Sequence, residues 1–279
     1  MKRIYILLII ILVVLIGCYF VLTISVKNIS EESRTLPPPK YSKIYVVSHR
    51  GAHDHIPENT LPAYQKAIDM GVDFVEVDIR TTKDGEIVSC HNSRIDAYTE
   101  GKTGNINDFT LNELKQIDIG KKSESGSENV QIPTLEEILQ ICQGKCGVYL
   151  DLKEAPVEKI VQLLKKYNMK SYSIWYSPTI RFRTFYKLKR HCPECIPMPD
   201  PVYTLLLPFT LAIMKPRIIA TAWDSFSPDF AKSCQDAGAL TIMDESNPSS
   251  EEWQKAIDWG VNGIQTDNPT GLIEFLKNK

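Results

Sequence analysis

From Ile44 onward, short β-branched runs alternate with stretches of helical period, and this alternation limits the fold more than any other feature of the chain. Parallel strands need crossover connections long enough to carry a helix, so such a pattern points to a parallel sheet wrapped by helices. The candidate strands are residues 43–49 (KIYVVSH), 73–79 (DFVEVDI), 86–91 (EIVSCH), 147–153 (GVYLDLK), 171–176 (SYSIWY), 217–223 (RIIATAW), 239–244 (ALTIMD) and 263–267 (GIQTD). Helical patterns at 59–71, 134–143, 156–168, 179–190, 228–238 and 251–260 fall between them, and several close on glycine, the residue best suited to a left-handed helix exit. The roughly 235 residues involved match an α/β (β/α)₈ TIM barrel in size. The alternative is a doubly wound open sheet, and no glycine-rich dinucleotide loop follows any strand.

The N-terminus is built differently. Met1-Lys2-Arg3 precedes Ile4 to Val26, a run of 23 residues without a charge. A helix of that length crosses the hydrocarbon core of a bilayer, so residues 1–27 are expected to form a single N-terminal transmembrane helix. Lys2 and Arg3 favour a cytoplasmic N-terminus, which places the rest of the chain outside: membrane-anchored, with an extracytoplasmic domain. Leu15-Ile16-Gly17-Cys18 offers a second possibility, a lipoprotein-type signal with a lipid on Cys18. Residues 28–43, polar and then proline-rich, suit a semi-rigid stalk, and residues 44–279 the folded domain. Outside the cytoplasm the close pairs Cys142/Cys146 and Cys192/Cys195 are candidate disulfides. A net charge of -2 supplies no cationic excess to displace counterions from a phosphate backbone, which argues against nucleic acid as a partner.

In a barrel the active site forms at the carboxyl ends of the strands. His49 and Arg50 end the first candidate strand, Glu76 and Asp78 lie on the second, His91 ends the third, and Asp151 and Lys153 end the fourth. Residues two apart on a strand share a face, so Glu76 and Asp78 project together, as do Asp151 and Lys153. Convergent carboxylates repel unless a cation lies between them, and an oxygen-only set suits one Mg²⁺ or Ca²⁺ ion. Two histidines then fit an acid/base pair, and the forked Arg50 a phosphate oxygen. His53 and His55 read as loop residues, and Asn59 or Thr60 as the cap of the following helix.

These residues resemble the glycerophosphodiester phosphodiesterases, whose marks appear here as HRGAHDHIPENT (49–60), DFVEVDIRTTKDGEIVSCH (73–91) and TG (103–104), then LDLK (150–153) and GIQTDNP (263–269). The resemblance implies a TIM barrel that hydrolyses glycerophosphodiesters to glycerol 3-phosphate and an alcohol with a divalent cation. It makes His49 and His91 the acid/base pair and Glu76, Asp78 and Asp151 the metal ligands. Arg50 and Lys153 become phosphate contacts, and Glu58 reaches the site as a supporting or metal-side group. Three positions depart from the family pattern: Asn92 stands where an aspartate usually follows the second histidine, Asp151 replaces a glutamate, and TIMDES (241–246) replaces a Trp-Thr-X-Asn stretch.

Residues 202–216 (VYTLLLPFTLAIMKP) are unusually apolar and read either as a buried helix on the barrel's outside or as a surface against a bilayer. The latter would let a tethered enzyme take lipid-like diesters such as lysophospholipids or glycerophosphoinositol, so the expected substrate is a small-molecule glycerophosphodiester or a lysophospholipid. Two alternatives stay open at this level: a phospholipase-type phosphodiesterase acting on lysophospholipid or phosphoinositide, and a non-catalytic phosphate-headgroup-binding member.

Overall fold

A computed structural model describes residues 36–120 and 129–279, together with 5–6, 9–14 and 16–17 near the N-terminus. Strands β1 (Tyr45–Ser48), β2 (Phe74–Thr81), β3 (Ile87–Ser89), β4 (Gly147–Leu152), β5 (Ser173–Pro178), β6 (Ile196–Asp200), β7 (Ile218–Ala222), β8 (Leu240–Asp244) and β9 (Gly263–Thr266) form one sheet. Its order is β6-β5-β4-β2-β1-β9-β8-β7, all parallel, with β6 lying beside β7 to close the circle. This is the eight-stranded parallel barrel that the alternation implies. Around it run α1 (Leu61–Met70), α2 (Leu111–Lys115), α3 (Leu135–Cys142), α4 (Val157–Lys166), α5 (Phe182–His191), α6 (Leu207–Met214), α7 (Pro228–Asp236), α8 (Ser250–Trp259) and α9 (Pro269–Lys277).

Strand parity divides the interior into two floors. On β2, Val75, Val77 and Ile79 face the helices while Phe74, Glu76 and Asp78 take the other face. The same holds on β4 for Val148, Leu150 and Leu152 against Tyr149 and Asp151. Near the strand starts the inward residues are apolar, with Tyr45, Phe74, Ile174, Met198, Ile218 and Ile242 packed as one cluster. Room for the Phe74 ring depends on Gly147, where a Cβ would fall 2.3 Å from a ring carbon. Toward the carboxyl ends the inward positions turn polar, so a dry plug supports a charged mouth.

The sequence misplaces one stave. Residues 86–91 do not form a barrel strand: β3 pairs antiparallel with β2, Ile79 opposite Ser89. The cause is the Asp84-Gly85 turn, with Gly85 at φ 81°, which reverses the chain too tightly to reach a parallel neighbour. The chain then builds a cap over that side, with its own small core of Val88, Ile95, Ile106, Leu114 and Ile132. The eighth stave is β6, IPMPD, whose prolines disguise it. In a parallel strand successive residues bond to opposite neighbours, so Pro197 and Pro199 remove donors on one side alone, and the described ladder of β6 is with β5. Helices α2 and α9 fall outside the helical patterns read from the sequence, whereas α6 lies in 202–216, where a helix on the barrel's outside is one of the two readings.

Leu36 to Lys43, assigned to the stalk by composition, belong in part to the domain. Leu36 is buried in the lower barrel cluster, Tyr45 donates its hydroxyl to Pro37 O at 2.8 Å, and Lys40 Nζ donates to Val72 O at 2.7 Å. Among the described residues no helix is long and apolar enough to cross a membrane; the expected transmembrane helix over 1–27 and the stalk's first half lie largely outside the described residues. Of the candidate disulfides, Cys192–Cys195 is formed, while Cys142 and Cys146 are free buried thiols.

Candidate active site

Seven of the residues singled out from sequence, His49, Arg50, Glu76, Asp78, His91, Asp151 and Lys153, line one cleft of about 250 Å³ at the carboxyl ends of the strands. The eighth, Glu58, stands behind it and accepts a bond from Arg50 Nη1 at 2.8 Å. Glu76, Asp78 and Asp151 each present a carboxylate oxygen within 4.8 Å of the others. Asp78 and Asp151 face each other because β2 and β4 are in register there. Burial first, then the charges of Asp78 and Asp151, push Glu76 well above the usual carboxylate range. Burial also raises Asp151, against the opposing pull of Lys153. Lys153 Nζ lies 2.6 Å from Asp151 Oδ2 and 3.1 Å from Asp78 Oδ1, which offsets part of this negative charge. An all-oxygen donor set that resists ionisation when unpaired fits a hard divalent cation.

The HRG segment turns the chain sharply at the rim. Arg50 and Gly51 are both left-handed, at φ 55° and 85°, and a Cβ on Gly51 would come within 2.8 Å of the Ala63 carbonyl carbon. The turn aims the Arg50 backbone N–H at Glu76 Oε2, 2.9 Å away, and sets its Nε 3.6 Å from Asp78. That Nε is buried without a hydrogen-bond partner, while the Arg50 side chain as a whole lines the cleft.

The two histidines are biased in opposite directions. Burial alone would lower the His49 imidazole, yet the Nδ1 bond to Asp267 Oδ1 at 2.7 Å and the charge of Asp244 hold it above its ordinary value. His91 is lowered, by burial first; the charges of Asp78 and Glu58 pull the other way, and those of Arg50 and Lys153 add to the lowering. Burial would raise Asp267, but its bonds to His49 and His53 keep it well below the usual carboxylate range.

Several residues here escape a reading of strand ends. Asp267 is the most consequential: it sits two residues beyond Gln265, on the inward parity of β9, and Glu245 fixes it by accepting its backbone N–H at 3.1 Å. His53, expected to be incidental, bonds the same Asp267 oxygen at 3.0 Å, while His55 is indeed exposed. Asn59 is more than a helix entry. Left-handed and fully buried, it donates to Asp78 Oδ2 at 2.9 Å and accepts from the Tyr64 and Ser89 hydroxyls, while Thr60 caps α1. The TIMDES stretch puts Ile242 and Asp244 on the cleft wall, across from Tyr176 and Asp200. Asn92 is exposed, with its backbone N–H on the Tyr98 hydroxyl at 2.6 Å.

The profile of the glycerophosphoryl diester phosphodiesterase family matches residues 49–184. A glycerophosphodiester phosphodiesterase of Caldanaerobacter subterraneus subsp. tengcongensis is 28% identical over 251 residues, 84% of this chain and 98% of that protein. The human lysophospholipase D GDPD1 is 26% identical over 276 residues, covering 83% and 86%. Among solved structures, an Oleispira antarctica phosphodiesterase in complex with the product sn-glycerol-3-phosphate superposes with a TM-score of 0.75 at 22% identity, over 84% of this chain and 97% of that one, a likeness of fold. With the motif residues gathered at one barrel mouth, the chain belongs to the glycerophosphodiester phosphodiesterase family and is a phosphoric diester hydrolase.

Proposed function

We propose that the protein hydrolyses glycerophosphodiesters to glycerol 3-phosphate and an alcohol, with Glu76, Asp78 and Asp151 holding one divalent cation, Mg²⁺ or Ca²⁺. The observation that carries this is the meeting, in one cleft, of three oxygen ligands within 4.8 Å and two histidines of opposite bias. Such a cation, when bound, offsets the charge that builds on the phosphoryl oxygens. Arg50 and Lys153 contact the same phosphate and orient it.

Two groups whose environments push their proton affinities apart divide the acid and base work. His91, biased toward its neutral form, removes the proton from the attacking oxygen, either of water directly or of the neighbouring glycerol hydroxyl, in which case water then opens the cyclic phosphate to glycerol 3-phosphate. His49, biased toward its protonated form by Asp267 and Asp244, gives its Nε2 proton to the departing alkoxide as the P–O bond breaks. Its Nδ1 is engaged by Asp267, which leaves Nε2 as the nitrogen free for that transfer. We place this chemistry outside the cytoplasm on a membrane-tethered chain. The uncharged run from Ile4 to Val26 supports the tether, and Lys2 and Arg3 ahead of it support the orientation.

The test is release of glycerol 3-phosphate from glycerophosphoethanolamine by the full chain, with and without Mg²⁺ or Ca²⁺. Activity is expected to need the cation and to fall by about a hundredfold or more in His49→Ala and in His91→Ala. Parental rates in either variant, or hydrolysis that survives chelation, would contradict the assignment; the latter result would favour a metal-free phospholipase mechanism.

A further inference from the structure

On the flank formed by α5 and α6 the barrel carries an apolar surface that nothing in the described chain covers. Ile180 and Tyr203 are each 68% exposed and Leu205 88%, with Phe182, Tyr186 and Phe209 about half exposed. A soluble surface scatters such side chains singly; six in two adjacent βα units make a patch. The patch begins where β5 and β6 end, and those strands carry Tyr176 and Asp200 on the cleft wall. It is also pinned to the site. Arg181 Nη1 donates to the carbonyls of Leu152 and Lys153 at 3.3 and 3.4 Å, and the buried hydroxyls of Thr179 and Thr210 lie 3.2 Å apart, joining the two units.

The charge around the patch identifies what it meets. Residues 178–217, which hold the patch, carry seven Lys and Arg against two acids, in a chain whose net charge is -2. Neither acid offsets the patch: Asp200 turns into the cleft and accepts from Tyr176, and Glu194 is paired with Lys170. Exposed Arg181, Arg183, Lys187 and Arg190 alternate with the exposed apolar residues. We propose that this flank docks the barrel on an anionic phospholipid surface, the aromatic and aliphatic side chains entering the headgroup boundary and the basic ones reaching lipid phosphates. A second copy of the chain fits worse, because a two-fold contact would set this positive surface against itself. The tether allows the posture. Nine residues separate Val26 from Leu36 at the barrel's base, a reach of up to about 30 Å, so the barrel can lie on its side with the cleft's lip at the bilayer.

The test uses the full chain with Cys18→Ser, spin-labelled at Leu205→Cys or, on the opposite flank, at Glu274→Cys; the other cysteines are buried or paired. On phosphatidylcholine vesicles containing phosphatidylglycerol, the label at 205 is expected to be relaxed by oxygen and shielded from an aqueous nickel chelate, while that at 274 stays aqueous. Adding Arg183→Glu and Lys187→Glu, or omitting phosphatidylglycerol, is expected to return the 205 label to water and to cut the bound fraction of that orientation about tenfold. An aqueous 205 label on anionic vesicles would overturn the proposal. So would shielding that appears without lipid and grows with protein concentration, which would assign the face to a second copy. The readout needs no substrate, so it stands or falls apart from the hydrolytic reading.

Discussion

Asp267→Asn isolates a charge that biases His49 toward its protonated form. The asparagine Oδ1 can still accept from Nδ1–H, so the ring stays oriented while the carboxylate's attraction is lost. His49 lies above its ordinary value even though burial opposes this, so its folded environment favours the protonated form. Removing the negative partner must then move its titration to lower pH. Asp267 is 53% exposed at its side chain, and screening limits a pair of this kind to about 1 kcal/mol, or roughly 0.7 pH unit. With His49 as the acid, kcat/KM is lost as pH rises through this titration, so the alkaline limb moves down by that amount. The acid limb, set by His91, stays in place. Below the alkaline limb the rate falls by less than about tenfold, whereas Asp267→Ala also removes the acceptor and costs about tenfold or more at every pH. The assay is glycerol 3-phosphate release from glycerophosphoethanolamine between pH 5 and 10, about the range in which two histidines titrate, at saturating cation. An alkaline limb that does not move in Asp267→Asn, or an acid limb that moves in its place, would refute the assignment of His49 as acid.

Gly51→Ala is expected to destabilise the protein by about 3 kcal/mol in denaturant unfolding, since the methyl group meets the Ala63 backbone at 2.8 Å and the residue sits at φ 85°. Adding Mg²⁺ or Ca²⁺ is expected to raise the melting temperature of the parent, and Glu76→Gln to abolish that rise; calorimetry reads both without substrate. Because Glu76 and Asp151 are biased toward protonation, cation binding should release protons and tighten as pH rises through the acid range, which titration calorimetry in buffers of different ionisation enthalpy measures. Asn59→Ala, which strips Asp78 of a donor and leaves a buried hydroxyl pair with one acceptor fewer, is expected to cost about 2 kcal/mol of stability and to raise the cation concentration needed for activity.

Local physics made much of this protein readable in one dimension. Alternating strand and helix patterns imply a parallel barrel, because crossover length follows from backbone geometry alone. The i, i+2 pairs Glu76/Asp78 and Asp151/Lys153 reveal their shared faces, because side-chain parity is a property of any strand. Residues held by partners distant in the chain were not readable. Nothing near Asp267 announces that His49, 218 residues earlier, will bond it. That contact exists because β9 closes the barrel against β1, Ser48 opposite Thr266. The proline-bearing β6 is a strand only because its second neighbour asks for no ladder, and the Asp84-Gly85 turn removes β3 from the stave count. Sequence therefore determined which side chains face inward and at what height along each strand. Tertiary structure decided which of them meet, and hence which histidine keeps its proton, because proton affinity depends on burial and on charges brought close only when the circle shuts.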